Sequence, residues 1–446
     1  MGEGGFCGRL LQLPPITGAL MSFNRFSLHP HILQAMHQCG YTAPTPIQEQ
    51  AIPPILGRRD LLGLAQTGTG KTAAFAVPMI HHLLQTPAKG VRALILAPTR
   101  ELAEQINDFI RTIIDKTGLR CIAVYGGVSK QKQIGGLRNG ADIVVACPGR
   151  LLDLLNDKVL DLGQVEILVL DEADHMFDKG FLPDIRRILR QLPKQRQSLV
   201  FSATMPAEIR HLAEDMLHDP VTVQINPTRS VDGITHHLYA VEQGQKTSLL
   251  MSLLQEETMT STLVFTRTKH RAKNLALQLT RSGVKATSLQ GNLSQNKRRQ
   301  ALDGFKSGTF NVLVATDIAA RGIDVSGISH VINYDVPDTA EAYIHRTGRT
   351  GRASRTGDAL TFATGEDGRM IRAIEGVLDN RMCRHGLPAL PAAATRPRLQ
   401  ETGEEKKRPA AARSPRQGRK GGAENGRPQR KSGTGLNVFG LSRRSE

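Results

Sequence analysis

Short, continuous apolar runs recur along this chain, each ending in a polar residue or glycine and each followed by a helical pattern. DLLGLA, RALILAP, CIAVYGG, DIVVACP, EILVLDEAD and SLVFSAT come first, and STLVFTRTK, KATSLQG, NVLVATD, HVINYD and DALTFAT follow. Strands without a polar side must be covered on both faces, so the pattern predicts an α/β fold of parallel sheets flanked by helices. The two series also resemble each other. RALILAPTRELA (92–103) and TLVFTRTKHRA (262–272) are each a strand ending in Thr-Arg that leads into a helix, and DIVVACPGR corresponds to NVLVATDIAARG. Two similarly built domains in tandem are therefore expected, over residues 21–225 and 236–385. The Pro, Asn, Asp and Gly of NPTRSVDGIT make residues 226–235 the linker. Ligands of open α/β sheets bind outside the carboxyl ends of the strands, so motifs at those ends should line a cleft between the domains.

The 446 residues exceed what one hydrophobic core organises, roughly 250–300 residues. No apolar stretch reaches the length of about 18 residues that suggests a membrane span, so a soluble protein is expected. Residues 1–20 read as a disordered extension in which Pro14 and Pro15 interrupt the apolar letters and no signal peptide is framed. The five cysteines are an odd number without a CxxC pair, which argues against a disulfide scaffold or zinc site and fits a reducing cytoplasm. Residues 371–395 look like the frayed end of the second domain. Residues 386–446 read as a basic disordered tail, with fourteen Lys and Arg against five Asp and Glu from Arg396 onward. With a net charge of +17, the chain favours a polyanion, because cations that neutralise phosphates release condensed counterions.

After DLLGLA comes AQTGTGKT (65–72) and then a helical segment. Gly68 and Gly70 let the backbone turn its N–H groups toward phosphate oxygens, with Gln66, Thr67 and Thr69 in the same loop. The first place of the common phosphate-loop pattern holds Ala65 instead of Gly. Lys71 would reach the β and γ phosphates, and the Thr72 hydroxyl would ligate Mg²⁺. Such a site needs a second strand that brings a carboxylate to the metal. ILVLDEAD supplies Asp171 for that task, Glu172 beside it to orient or polarise water, and Asp174 to hydrogen-bond toward Ser202 and Thr204.

Together with these motifs, GYTAPTPIQ (40–48), APTRELA (97–103), Gly126-Gly127, CPGR (147–150), VFTRT (264–268), TDIAARGID (316–324) and HRTGRTGR (345–352) occur in order. From about Phe23 to about residue 370 the chain resembles the DEAD-box family of ATP-dependent RNA helicases, within superfamily 2. The MSF start, compact core and basic tail resemble most the bacterial RhlE-like group. The resemblance implies two tandem RecA-like domains. It implies adenine recognition by Gln48 and Phe23, RNA contacts from Pro98, Thr99, Arg100, Gly127, Arg150, Arg267 and Thr316, and Asp324 near the ATP ribose. It further implies Arg349 and Arg352 at the γ-phosphate, with His345 joining Asp174, Ser202 and Thr204 in coupling the domains. Family members usually have Thr where this chain has Cys147, and a thiol is the weaker donor.

With the two parts of the site on different domains, hydrolysis should require closure. An arginine finger supplies about 10³–10⁵ in rate, roughly 4–7 kcal/mol of barrier. ATP with Mg²⁺ and RNA together would close the cleft, so that RNA stimulates hydrolysis and gripping a bent strand separates a short duplex. The absence of Trp and the 4% aromatic content argue against base stacking. Contacts to the sugar-phosphate backbone are expected instead, and no motif points to a particular ribonucleoprotein or RNA-decay partner. The alternative is an ATP-gated RNA clamp or assembly platform with little turnover; a DNA helicase is a third reading.

Overall fold

The computed structural model describes residues 22–66, 68–225, 233–320, 325, 327–351, 356–378 and 381–387. The first part supplies β1 (Leu61–Leu64), β2 (Ala93–Leu96), β3 (Cys121–Val124), β4 (Ile143–Ala146), β5 (Ile167–Leu170), β6 (Gln197–Ser202) and β7 (Val221–Gln224). They form one parallel sheet in the order β3-β4-β2-β5-β6-β1-β7. The second part supplies β8 (Ile234–Ala240), β9 (Thr262–Phe265), β10 (Ala286–Leu289), β11 (Val312–Ala315), β12 (His330–Asn333), β13 (Gly357–Ala363) and β14 (Cys383–His385). Their order, β10-β11-β9-β12-β13-β8-β14, repeats the first with each strand number raised by seven. The repeated order fits the tandem RecA-like domains that the resemblance implies, and both sheets lie within one compact unit.

Successive strand residues face opposite sides of a sheet, and here both sides are covered. Ile95, Val145, Val169 and Leu199 pack into the core on one face of the first sheet. Leu94, Val144, Leu168 and Val200 pack into the core on the other. In the second sheet Val264, Val314 and Ile332 face one core, and Leu263, Leu313 and Val331 the other. Each such side chain contributes about 1.5–3 kcal/mol through burial, which is why the runs carry no polar face.

Three elements differ from the sequence reading. The expected linker 226–235 overlaps β8, which already includes Ile234 and Thr235; residues 226–232 lie outside the described residues. Residues 371–378 are not frayed, because the helix Gly368–Leu378 buries Ile371, Ile374 and Leu378, and β14 then pairs with β8. The Thr-Arg pairs are not equivalent either. Thr99 caps the helix Arg100–Ile113, whereas the cap of Lys269–Arg281 is Thr268, so Thr266 and Arg267 precede that helix. Residues 1–20, and the expected tail beyond residue 387, lie outside the described residues. Among the described residues no helix is long and apolar enough to cross a membrane.

Candidate functional site

β1 ends at Leu64, and the chain turns through a loop before the helix Lys71–Gln85. Gly68 and Gly70 take φ values of +86° and +94°, a region that costs a Cβ-bearing residue roughly 1–2 kcal/mol. Gly70 is constrained twice, since a Cβ there would lie 2.5 Å from Gln48 Nε2. Gln48 is buried; its Nε2 donates to the Gly70 carbonyl at 3.1 Å and its Oε1 accepts from Thr45 N at 2.9 Å. The loop is tightened further by Thr69 Oγ1, which donates to the Gln66 carbonyl at 2.8 Å. Lys71, the first residue of the helix, is also buried, and its Nζ donates to the Ala65 carbonyl at 3.0 Å. Thr72 follows it, half-buried, and Thr67 lies outside the described residues. Phe23 is 4% exposed and packs edge-on against Phe26 and Tyr41.

β5 delivers the carboxylates. Asp171 follows its last residue and accepts a hydrogen bond from Glu172 N at 3.0 Å. Glu172 caps the short helix Ala173–Asp178 at φ 52°, ψ 54°, a strained left-handed conformation of the kind that clusters at functional sites. Burial, the nearby Glu172 and Asp174 charges and the opposing pull of Lys71 leave the Asp171 carboxyl pushed up to about 6. Burial would raise Glu172 too, but the hydrogen bond from His175 Nδ1 at 3.3 Å, with the charges of Lys71, His175 and Arg349, lowers it to about 2. The two carboxylates thus differ in environment: at Asp171 burial outweighs the pull of Lys71, and at Glu172 the His175 hydrogen bond with the neighbouring charges outweighs burial.

Asp174 joins β5 to the end of β6. Its Oδ2 accepts from Thr204 N at 2.9 Å and from Thr204 Oγ1 at 3.0 Å, while its own N–H donates to Ser202 Oγ at 3.2 Å. The Ser202 hydroxyl donates onward to the Thr204 carbonyl at 2.7 Å.

A second group gathers at the ends of β2, β3 and β4. Gly127, at φ +84°, lies under the Arg100 guanidinium, where any Cβ would collide. Thr99 is buried as a helix cap, and the Pro98 carbonyl accepts from Lys179 Nζ at 3.0 Å. Arg150 donates to Gln133 Oε1 at 3.2 Å and pairs with Asp153 at 3.5 Å. Cys147 caps the helix Pro148–Asn156 without a side-chain hydrogen bond, and burial pushes its thiol up to about 12.

In the second sheet Arg267 pairs with Asp338 at 3.4 Å, and its N–H donates to Asp335 Oδ2 at 2.9 Å. Thr316 follows β11 and is nearly buried. Arg349 is buried, its Nε donates to the His345 carbonyl at 3.3 Å, and its charge reaches Glu172 of the first half. Asp324 and Arg352 lie outside the described residues.

Some contacts escaped the sequence reading. Glu101 Oε1 accepts from Arg298 Nε at 2.7 Å and from Gln295 Nε2 at 3.4 Å, a nearly buried pair between the two halves. Arg346 holds Asp317 through two bonds of 2.6 and 2.7 Å and also donates to Asn333 Oδ1 and the Asp335 carbonyl. Asp317 and Arg346 stand inside quoted motifs, so pairing their opposite charges was open to inspection. Arg298 and His175 offered no comparable signal.

Among the described residues no group of three or more His, Cys, Asp or Glu side chains could hold a metal ion unaided. The donors at the first loop are of another kind: one carboxylate raised by burial and one hydroxyl at a helix start. Hard oxygen donors in small number, completed by phosphates and water, suit Mg²⁺.

Sequence comparison matches residues 45–212 to the DEAD/DEAH box helicase family and residues 245–354 to the helicase conserved C-terminal domain. The ATP-dependent RNA helicase CshA of Listeria monocytogenes is 43% identical over 364 residues, covering 81% of this chain and 70% of that protein. The ATP-dependent RNA helicase RhlB of Pectobacterium atrosepticum is 40% identical over 375 residues, covering 82% and 86%. Among solved structures, S. cerevisiae Dbp5 bound to RNA and ADP BeF3 aligns with a TM-score of 0.74 at 32% identity, covering 82% of this chain and 96% of that one.

Proposed function

The chain belongs to the DEAD-box family of ATP-dependent RNA helicases, and from that premise we propose how its residues divide the work. It is an RNA-dependent ATPase that separates short RNA duplexes or remodels RNA-protein complexes. The observation that carries the assignment is Glu172: a buried carboxylate kept ionised first by the hydrogen bond from His175, then by Lys71 of its own half and Arg349 of the other.

The glycine loop at 66–70 and the start of the helix Lys71–Gln85 cradle the phosphates of ATP. On binding, Lys71 exchanges the Ala65 carbonyl for phosphate oxygens. Gln48, tied to Gly70, reports the base to the phosphate loop with the N–H and lone pair that its internal bonds leave over. Phe23 supports that side of the adenine pocket from within the core, and Asp324 is assigned to the ribose. Thr72 and Asp171 would hold Mg²⁺, which would neutralise charge on the phosphates. Glu172, kept ionised, orients the attacking water and accepts its proton. Arg349, with Arg352, stabilises the charge that develops on the transferred phosphoryl group.

Pro98, Thr99, Arg100, Gly127, Arg150, Arg267 and Thr316 bind the RNA backbone. Asp174, Ser202, Thr204 and His345 transmit its presence to the hydrolytic carboxylates. A cytoplasmic setting is part of the same proposal and agrees with the free cysteines Cys39, Cys121, Cys147 and Cys383. Placement in the RhlE-like group rests on the MSF start and the basic tail.

The test is multiple-turnover ATPase with and without RNA, combined with strand displacement, for the wild type and Glu172→Gln. RNA-stimulated turnover lost in the variant supports the assignment. Turnover near wild type would reject Glu172 as the water-orienting group, and little turnover in the wild type would favour the clamp.

A further inference from the structure

Glu172 caps the helix Ala173–Asp178, and His175 lies three residues further on, a spacing at which side chains on a helix meet. His175 Nδ1 stands 3.3 Å from Glu172 Oε2. Both side chains are almost fully buried, at 6% and 9% exposure. The other carboxylate oxygen, Oε1, takes no hydrogen bond from the described residues. Burial raises the Glu172 carboxyl, yet it is lowered to about 2, and the His175 hydrogen bond is the largest of the lowering causes. An ionised carboxylate only accepts, so the hydrogen bond requires the proton on Nδ1 of the imidazole. A buried pair of this kind is weak as a device for stability, because desolvation offsets the attraction. Its use is better sought in the chemistry beside it.

We propose that His175 is a positioning residue for ATP hydrolysis: its Nδ1–H fixes Oε2 of Glu172 and so leaves Oε1 aimed at the water that attacks the terminal phosphate. This rests on the reading of Glu172 above as the water-orienting group, and it names what holds that group in place. The backbone supports it. Glu172 sits at φ 52°, ψ 54°, a left-handed conformation that a residue with a Cβ adopts only where its surroundings enforce it. A side chain that starts from so fixed a backbone and is tied at one oxygen has little freedom left at the other. The neighbouring network supports it as well. The His175 N–H donates to Asp174 Oδ1 at 2.9 Å, while Asp174 Oδ2 accepts from Thr204 N and Thr204 Oγ1. His175 thus touches, through its backbone, the carboxylate that joins β5 to β6 and, through its ring, the hydrolytic one. A shift of the Ser202–Thr204 segment would reach Glu172 by way of Asp174 and His175.

The test is the single-turnover rate of ATP hydrolysis by the full chain at saturating ATP and RNA, with ATP affinity and thermal unfolding as readouts of folding. His175→Leu keeps the bulk and removes the donor. Its rate should fall by about 10- to 10²-fold, the upper value being that of a misplacement of about 1 Å, with ATP affinity unchanged. His175→Asn sets an amide N–H where Nδ1 stands and should recover most of that loss. If the Leu variant does not fold, His175→Gln, whose amide falls nearer the place of Nε2, takes its part with the same fall expected. Added to Glu172→Gln, the change to Leu should bring no further loss, because a residue that acts through another has nothing left to act on. A donorless variant within about threefold of wild type overturns the proposal. So do equal losses in the Leu and Asn variants, which a residue that only fills space would give, and so does a full further loss on top of Glu172→Gln. Glu172→Gln turnover near wild type would instead count against the reading of Glu172 itself.

Discussion

The two sheets repeat one strand order, and each places a Lys-Thr pair at the start of the helix that follows its first strand in the chain: Lys71-Thr72 after β1 and Lys246-Thr247 after β8. What surrounds the pair differs. Before Lys71 the loop turns through glycines at positive φ, and the end of β5 presents Asp171. Before Lys246 stands Gln245 at φ −93°, and the end of β12, the counterpart of β5, presents Tyr334. Lys246 Nζ donates to the Tyr334 carbonyl at 2.9 Å, its ammonium lies 5.9 Å from the Tyr334 ring centre, and Thr247 and Tyr334 share a hydroxyl contact of 2.9 Å. Burial, foremost, lowers the Lys246 ammonium. The second half has thus closed with its own residues the place where the first half is proposed to take phosphates. The same fold supplies a position; the residues at that position decide whether it binds or holds the domain together.

The contrast breaks first at the two lysines. Lys71→Ala should reduce ATP turnover by at least about 10³-fold, since the change removes phosphate stabilisation, and the Ala65 carbonyl it frees should cost about 1–3 kcal/mol of stability, far too little to account for that loss at a temperature where the variant is folded. Lys246→Met should leave the ATP affinity intact. A loss of ATP binding in that variant would mean that the second half shares in the nucleotide site.

Contact between the halves comes next. Arg298→Ala removes the cation from Glu101 and should weaken coupling between RNA and ATP by about 1–3 kcal/mol, or 5- to 150-fold in RNA-stimulated ATPase at subsaturating RNA. Unstimulated ATPase and thermal stability of each half should change little. Equal stimulation in variant and wild type would show that the pair does not report closure.

On stability, Lys246→Met strands the Tyr334 carbonyl and should cost about 1–3 kcal/mol, read from denaturant unfolding. The smallest effect is expected at Cys147, whose counterpart after β11 is Thr316. Thr99 and Thr268 cap their helices with side-chain oxygens and Cys147 does not. Cys147→Thr should therefore stabilise the first half by about 1 kcal/mol. A neutral result would mean that the hydroxyl does not reach the helix amides.

Most of the architecture was legible because each strand buried on both faces announces itself as an unbroken apolar run. The exceptions have identifiable causes. β8 reads ITHHLYA because His236 and His237 bond to Tyr343 and Asp358 instead of filling an apolar layer. β14 is a three-residue exposed edge strand, too short and too polar to separate from a loop. At the candidate site, the glycine loop and the DEAD segment were visible because each is contiguous in sequence. Glu101 and Arg298 are 197 residues apart, and only the folded chain brings them together. His175 was missed for another reason: it acts on Glu172 across one helical turn, a geometry that charge alone does not single out.

The shared pocket is tested most directly by the kcat of Arg349→Ala at saturating ATP and RNA. If a guanidinium from the second half completes the hydrolytic site of the first, kcat should fall by about 10³-fold or more with ATP affinity retained. A kcat within about threefold of wild type, a barrier change below about 1 kcal/mol, would contradict a site divided between the two halves.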